Sequence, residues 1–251
     1  MITKVKTKAE IAAMRTGGKI LATVLDTLKR RLEPGMTTKD LAIIAADEVK
    51  ALGGVPTILG YEGFPDVICI SVNDEIVHGI PGDRIIKEGD IVGMDFCVTY
   101  DGMITDAAVS AIAGRPKRQG DIRLLDRTQQ ALEVGVYSVH GQVRTGDIGS
   151  AIESYLKQYN YGIVRDLVGH GVGHEMHEDP NVPNYGRANT GPWLEAGMTI
   201  AIEPMVTLGG EKVYIADDGW TVKTADGSWS AHFEHTVLIT EDGAEVLTSL
   251  S

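Results

Sequence analysis

The spacing of apolar positions changes period several times along the chain, and each change marks an element. Ile11, Met14, Gly18, Leu21, Leu25, Leu28 and Leu32 recur at helical spacing, behind a Thr7-Lys8-Ala9-Glu10 stretch with capping-box spacing and ahead of a Glu33-Pro34-Gly35 stop. A second helix is expected from about Thr38 to Leu52, before Gly53-Gly54. The pattern then shortens to strands. Asp66 to Val72 and Glu75 to His78 flank Asn73-Asp74, and two apolar runs, Ile91 to Val98 and Met103 to Val109, are joined through Tyr100-Asp101-Gly102 as a hairpin. Helical spacing returns from Gln119 for roughly twenty residues, and again from Asp147 to Tyr159. The closing third reads as strands with turns at Asp218-Gly219, Asp226-Gly227 and Asp242-Gly243. This order predicts an α+β fold, a curved and largely antiparallel sheet covered by helices on one side.

Four acids break the apolar runs. Asp95 and Asp106 fall in the two arms of the hairpin, where folding at Asp101-Gly102 would set them nearly opposite each other. Glu203 lies in Met198 to Val206 and Glu234 in His232 to Ile239, each read as a strand with one inward acid. An ionised carboxylate buried without a partner is costly, and like charges repel unless a cation lies between them. With His170, these residues are best satisfied by a pair of divalent cations sharing bridging carboxylates.

The two halves of the chain echo each other. Lys87 to Asp95 aligns with Glu195 to Glu203, so that in both halves the acid falls six residues after a turn glycine. Val77 to Pro81 likewise aligns with Met176 to Pro180, and Thr38 to Leu41 with Thr145 to Ile148. The repeat implies halves of about 35–113 and 142–245 related by a pseudo-twofold axis, within one catalytic domain spanning 1–251.

Composition narrows the class. The 251 residues are 43% hydrophobic, ample for a core, and the net charge of −12 with no basic stripe argues against coating DNA. Cys69 and Cys97 sit in apolar runs, which suits buried thiols in a reducing compartment. The N-terminus has no apolar signal region and no run approaches transmembrane length, so a cytoplasmic protein without membrane contact is expected.

Gly169-His170-Gly171-Val172-Gly173-His174-Glu175-Met176-His177 is too glycine-rich for a helix. A zinc-protease helix motif is therefore excluded, because it needs two His four apart on one helix face, whereas His174 and His177 are three apart.

These motifs, with Gly60-Tyr61-Glu62-Gly63-Phe64-Pro65, Val72-Asn73-Asp74-Glu75, His78-Gly79-Ile80-Pro81, Ile202-Glu203-Pro204-Met205 and Phe233-Glu234-His235-Thr236, carry a resemblance. The sequence resembles the short, type I methionine aminopeptidases of bacteria nearly end to end. The long insertion of type II enzymes is absent, since twenty-five residues separate His177 from Glu203. The resemblance implies the pita-bread metallopeptidase fold and two divalent ions, Co, Mn, Fe or similar, held by Asp95, Asp106, His170, Glu203 and Glu234. Asp95 would serve one ion, His170 and Glu203 the other, and Asp106 and Glu234 both. A water shared by two such ions is acidic enough to be hydroxide near neutral pH and would attack the first peptide carbonyl.

The resemblance further assigns Glu203 to proton transfer, His177 to the carbonyl or oxyanion, and His78 to the peptide backbone or leaving amide. Tyr61, Phe64, Cys69, Met176 and Trp220 match the family's methionine pocket, and Asn73 with Ser230 matches a monovalent cation site. His140, His232 and His235 are read as structural or surface residues. Departures from the family pattern fall at Met176 (aromatic in relatives), Ile58 (often Cys), Cys97 (commonly Thr), His174 (commonly Arg) and Ala107-Ala108 (usually Thr-Ser).

The implied activity is removal of the N-terminal methionine from nascent chains, preferring a small second residue, by a monomer in transient contact with the ribosome. Two alternatives compete. Proline-specific peptidases of this fold, of the prolidase or aminopeptidase P type, usually carry a further N-terminal domain. A non-catalytic peptide-binding protein on the same scaffold would be expected to have lost metal ligands, and all five are present here.

Overall fold

The computed structural model describes residues 5–250. Helix α1 (Lys8–Arg31) begins at the expected capping box: Thr7 Oγ1 accepts the Glu10 N–H at 3.3 Å, and the Glu10 carboxylate accepts the Thr7 N–H at 2.7 Å. Helix α2 (Thr38–Ala51) repeats the device with Thr37 and Asp40. Helix α3 runs Gln119–Tyr137, and helix α4 runs Thr145–Leu156 before a short 3₁₀ turn reaching Tyr159.

All strand pairings among the described residues are antiparallel, but they form five small sheets rather than one curved sheet. The largest ladder joins Ile91–Tyr100 to Met103–Ile112, turned by Asp101 and Gly102 at φ 47° and 77°, as a tight hairpin twist demands. Cys69–Val72 pairs with the outer edge of Ile91–Tyr100. In the second half, Thr199–Ile202 lies between His235–Ile239 and Gly169–Gly171.

The apolar stripe of α1 buries Leu21 and Leu28 with Leu41 of α2 against Ile70, Met94 and Phe96. Leu124 of α3 and Ile148 and Ile152 of α4 pack on Ile200, Ile202 and Val237 as a second core. The α+β class and the element order therefore follow the apolar pattern. No helix among the described residues is long and apolar enough to cross a membrane.

Two of the expected strands are broken at their acids. Met198 to Val206 divides into Thr199–Ile202 and Met205–Thr207, with Glu203 and Pro204 between them. His232 to Ile239 likewise divides at Phe233-Glu234. The breaks coincide, because Ile202 pairs with His235 and Met205 with His232, so one long ribbon is interrupted across both arms at once. Pro204 has no N–H to continue a ladder, and the chain passes there from one sheet to another. The glutamates are thus freed from the strict alternation of a strand.

Candidate metal centre

The two halves meet along a seam of three rungs. Asp106 N–H donates to Thr236 Oγ1, and that hydroxyl donates back to Asp106 O, both at 2.8 Å. Glu234 N–H donates to Ala108 O at 2.9 Å. Ser110 Oγ donates to His232 O at 2.9 Å and accepts His232 N–H at 3.0 Å. Alternate residues of the hairpin are thereby tied to alternate residues around Glu234, which carries that carboxylate onto the face holding the aspartates.

The aspartates are not directly opposite. Asp95 pairs with Ala108, and Asp106 pairs with Cys97. They share a face as diagonal neighbours, because the expected two-residue Asp101-Gly102 loop sets Tyr100 opposite Met103. Cys97 consequently stands in the site: ligand atoms of Asp95, Cys97 and Asp106 lie within 4.8 Å of one another, as do those of Asp106, His170 and Glu234. Glu203 completes the set, with Oε1 3.5 Å from His170 Nε2.

Local backbone explains the placement of His170. A Cβ on Gly169 would come within 2.3 Å of Ala201 O, so only glycine lets this strand approach Thr199–Ile202 so closely. His170 Nδ1 lies 2.9 Å from Gly171 O, which places the proton on Nδ1 and leaves the Nε2 lone pair for a metal.

The electrostatics call for cations. Burial, then the Asp106 charge, raises the Asp95 carboxyl to about 8; burial, against a hydrogen bond from Cys97, raises Asp106 to about 7; and burial raises Glu203 to about 8. Glu234 is raised well above the carboxylate range by burial and then by Asp106. Burial lowers His170 to about 4, keeping the imidazole neutral. Asp106 Oδ1 and Glu234 Oε1 are buried without a hydrogen-bond partner. Partnerless oxygens, four acids with raised pKa values and a neutral imidazole form a donor set suited to divalent ions.

The centre opens into a cavity of about 360 Å³ lined by His78, His177, Ile58, Tyr61, Met176 and Trp220 together with the ligands. His177 Nδ1 is 3.1 Å from Tyr61 OH, and its ring meets that of His170 edge to face at 4.5 Å between centroids. His78 closes the strand before it at φ 59°, a left-handed conformation uncommon for a residue with a side chain, and burial lowers its pKa to about 4. Phe64 and Cys69 are not part of the lining. Phe64 is buried behind it, edge-on to Trp220 at 5.2 Å, and Cys69 is fully buried opposite Asp95 in the ladder.

Asn73 and Ser230 do meet. The Ser230 hydroxyl donates to Asn73 O at 3.0 Å and lies 3.1 Å from Glu75 O. His174 leaves the cavity for the N-terminal helix, with Nε2 2.9 Å from Glu10 Oε1.

Among the three remaining histidines, His140 and His235 line a larger surface recess of about 670 Å³. That recess holds no group of ligating side chains among the described residues. His232 is a different matter, because it is buried with Nε2 3.5 Å from Glu203 Oε2 and 3.9 Å from Glu234 Oε2. Of the structural or surface role expected for His232, burial excludes the surface one. Its position two residues before Glu234, at the end of an apolar strand, was the available signal.

A buried carboxylate and imidazole cluster at the seam of a split antiparallel ribbon, opening on an apolar cavity, defines a metal-dependent hydrolase site. Residues 12–241 match metallopeptidase family M24. The chain belongs to this family and has its pita-bread fold. It is 44% identical to a methionine aminopeptidase of Mycoplasma capricolum over 248 residues, covering 99% of this chain and 98% of that protein. A crystal structure of a methionine aminopeptidase from Thermotoga maritima matches with TM-score 0.96 at 42% identity, covering 99% and 100% of the two chains. A prolidase from Pyrococcus furiosus, TM-score 0.78 at 24% identity and 66% covered, shares the fold. Membership in this family means that the site binds divalent metal.

Proposed function

We propose that this protein is a metallo-aminopeptidase that removes the N-terminal methionine of nascent chains and peptides, and that its centre holds two divalent ions. Asp95, Asp106, His170, Glu203 and Glu234 hold them, and four carboxylates balance two dications. The oxygen-rich set favours Mn²⁺, Fe²⁺ or Co²⁺. Once bound, the ions supply Lewis acidity and an activated water.

The protein's own groups do the rest. Glu203, already disposed by its surroundings to hold a proton, takes one from the attacking water and passes it to the leaving amine. His177, neutral and fixed through Nδ1 by the Tyr61 hydroxyl, presents Nε2–H to the scissile carbonyl and to the oxyanion that forms there. His78 faces the same cavity and binds the peptide backbone. Ile58, Tyr61, Met176 and Trp220 make an apolar wall suited to a thioether side chain, supported from behind by Phe64 and Cys69.

The observation carrying this reading is that all five ligands converge beside that wall within one cavity. Hydrolysis of Met-Gly, Met-Ala, Leu-Gly and Ala-Pro peptides after metal reconstitution tests it. Cleavage of the two methionyl peptides ahead of the others is expected; turnover of Ala-Pro alone would favour a proline-specific enzyme, and no turnover would favour a binding protein.

A further inference from the structure

His232 is held more firmly than a filler residue needs. Its main chain is clamped on both sides by the Ser110 hydroxyl and paired with Met205. Its ring is 3% exposed, yet Nε2 has no hydrogen-bond partner. A buried polar atom left in that state is unfavourable, so a partner is called for. Two carboxylates of the metal centre lie near Nε2: Glu203 Oε2 at 3.5 Å and Glu234 Oε2 at 3.9 Å.

Glu203 therefore has an imidazole at each oxygen, His170 at 3.5 Å from Oε1 and His232 at 3.5 Å from Oε2. The two rings cannot have the same role. His170 offers a lone pair at Nε2, because its Nδ1 faces the Gly171 carbonyl. A lone pair on His232 Nε2 would face two carboxylates with repulsion, whereas an N–H there would face two acceptors.

We infer that His232 is a positioning residue of the metal centre, its neutral Nε2–H donating to Glu203 Oε2 and fixing the direction in which Glu203 presents its other oxygen. A neutral donor satisfies one oxygen of the carboxylate without adding to the four negative charges already present. The 3.5 Å separation exceeds a formed hydrogen bond. Catalytic hydrogen bonds are commonly long without substrate and tighten in the reacting complex. The inference rests on the metal-centre reading above, but not on which peptide is cleaved.

The test titrates the full-length protein with Mn²⁺ alone by calorimetry, comparing the parent with His232→Leu, which removes the donor, and His232→Gln, which keeps an N–H donor but is a poor metal ligand. Steady-state kcat and KM on a Met-Ala peptide are measured beside it. The expected result for His232→Leu is Mn²⁺ binding weakened about ten- to a hundredfold, with a comparable fall in kcat and KM within about twofold of the parent. His232→Gln should recover most of both losses. Parental Mn²⁺ affinity in His232→Leu would overturn the inference, and so would a folded His232→Gln as impaired as His232→Leu. If the leucine variant does not fold, His232→Asn, whose amide stops short of Glu203, takes its place. If no variant and not the parent cleaves methionyl peptides, the proposed activity fails, while the Mn²⁺ titration still decides the role of His232.

Discussion

The Glu234 N–H donates at 2.9 Å to the carbonyl of Ala108, the residue directly opposite Asp95 in the hairpin ladder. With the return bond from Ala108 N–H to Glu234 O at 3.4 Å, this backbone pair spaces a carboxylate of the second half from a carboxylate of the first. Residues facing each other across a ladder share a side of the sheet, so the Ala108 methyl points toward the acids. Ala108→Leu should force the seam apart at a cost of about 1–3 kcal/mol. For a chain of this size that is a drop of roughly 2–12 °C in melting temperature. The loss of hydrolysis should exceed what the unfolded fraction explains, because the ligands are separated even in folded molecules. Ala108→Ser should retain activity. Differential scanning calorimetry paired with peptide assays at 25 °C checks both, and a fully active leucine variant would contradict the role given to the seam.

The acids also set how the metal-free protein responds to pH. Unfolded Asp and Glu titrate near about 3.9 and 4.3, whereas Asp95 and Glu203 are raised to about 8 and Asp106 to about 7 in the fold. Between about pH 4 and pH 8 the folded protein retains protons that the unfolded chain releases, so stability falls as pH rises through this window. The chelator-treated protein should show a falling melting temperature over that range. Adding Mn²⁺ at pH 7.5 to a hundred times its Kd should restore about 2.7 kcal/mol, or roughly 5–11 °C. A metal-free protein whose melting temperature rises from pH 5 to 8 would refute the assignment.

Removing a ligand separates structure from catalysis. In Asp95→Ala or Glu234→Ala a carboxylate leaves a cluster of like charges, so the metal-free fold should remain recognisable by circular dichroism and melt no lower than the metal-free parent. Hydrolysis of Met-Ala should disappear in both variants after reconstitution. Full activity in either would remove that residue from the metal site.

Much of this arrangement was legible in the chain because it depends on local pattern. The capping box at Thr7 and Glu10, the hairpin turn at Asp101-Gly102 and the single acids in apolar runs each follow from residue type and spacing. What pattern does not encode is where a strand changes sheet. Met198 to Val206 reads as continuous, yet it divides at Glu203-Pro204, and the partner arm divides with it. The same break brings His232, expected to be no more than a structural or surface residue, against Glu203. Depth is equally hidden. Phe64 and Cys69 belong to the same apolar cluster as Met176 and Trp220, but cross-chain packing puts the first two behind the cavity wall.

The contact between Tyr61 and His177 makes a graded prediction. At 3.1 Å the phenol fixes the His177 ring through Nδ1, so that Nε2–H remains for substrate. Tyr61→Phe removes only that hydrogen bond, worth about 0.5–1.5 kcal/mol, and should lower kcat about two- to thirteenfold with little change in KM. His177→Ala removes the donor itself and should cost about 10²–10³ in kcat. Stopped assays over a range of Met-Ala concentrations resolve both; equal losses in the two variants would mean that the Tyr61 hydroxyl acts on the reacting groups itself rather than through His177.

The two thiols should be silent while the protein is folded. Cys69 is fully buried and Cys97 3% exposed, and both are free. Burial, and then the charges of Asp95 and Asp106, raise both thiols well above their ordinary range, so the reactive thiolate is scarce at neutral pH. Iodoacetamide at pH 8 should therefore leave the native protein unmodified and alkylate both cysteines once guanidinium is added, as read by intact mass. Cys97 is the more informative of the two. Because it lies opposite Asp106 among the ligands, a modification that enters there should abolish Mn²⁺ binding, whereas one confined to Cys69 acts first on the packing behind the cavity wall. Rapid alkylation of the folded, metal-free protein at Cys97, which lines the cavity, would show that the reagent reaches the thiol through that cavity, whereas rapid alkylation at Cys69 would show that the hairpin opens far more readily than its packing implies.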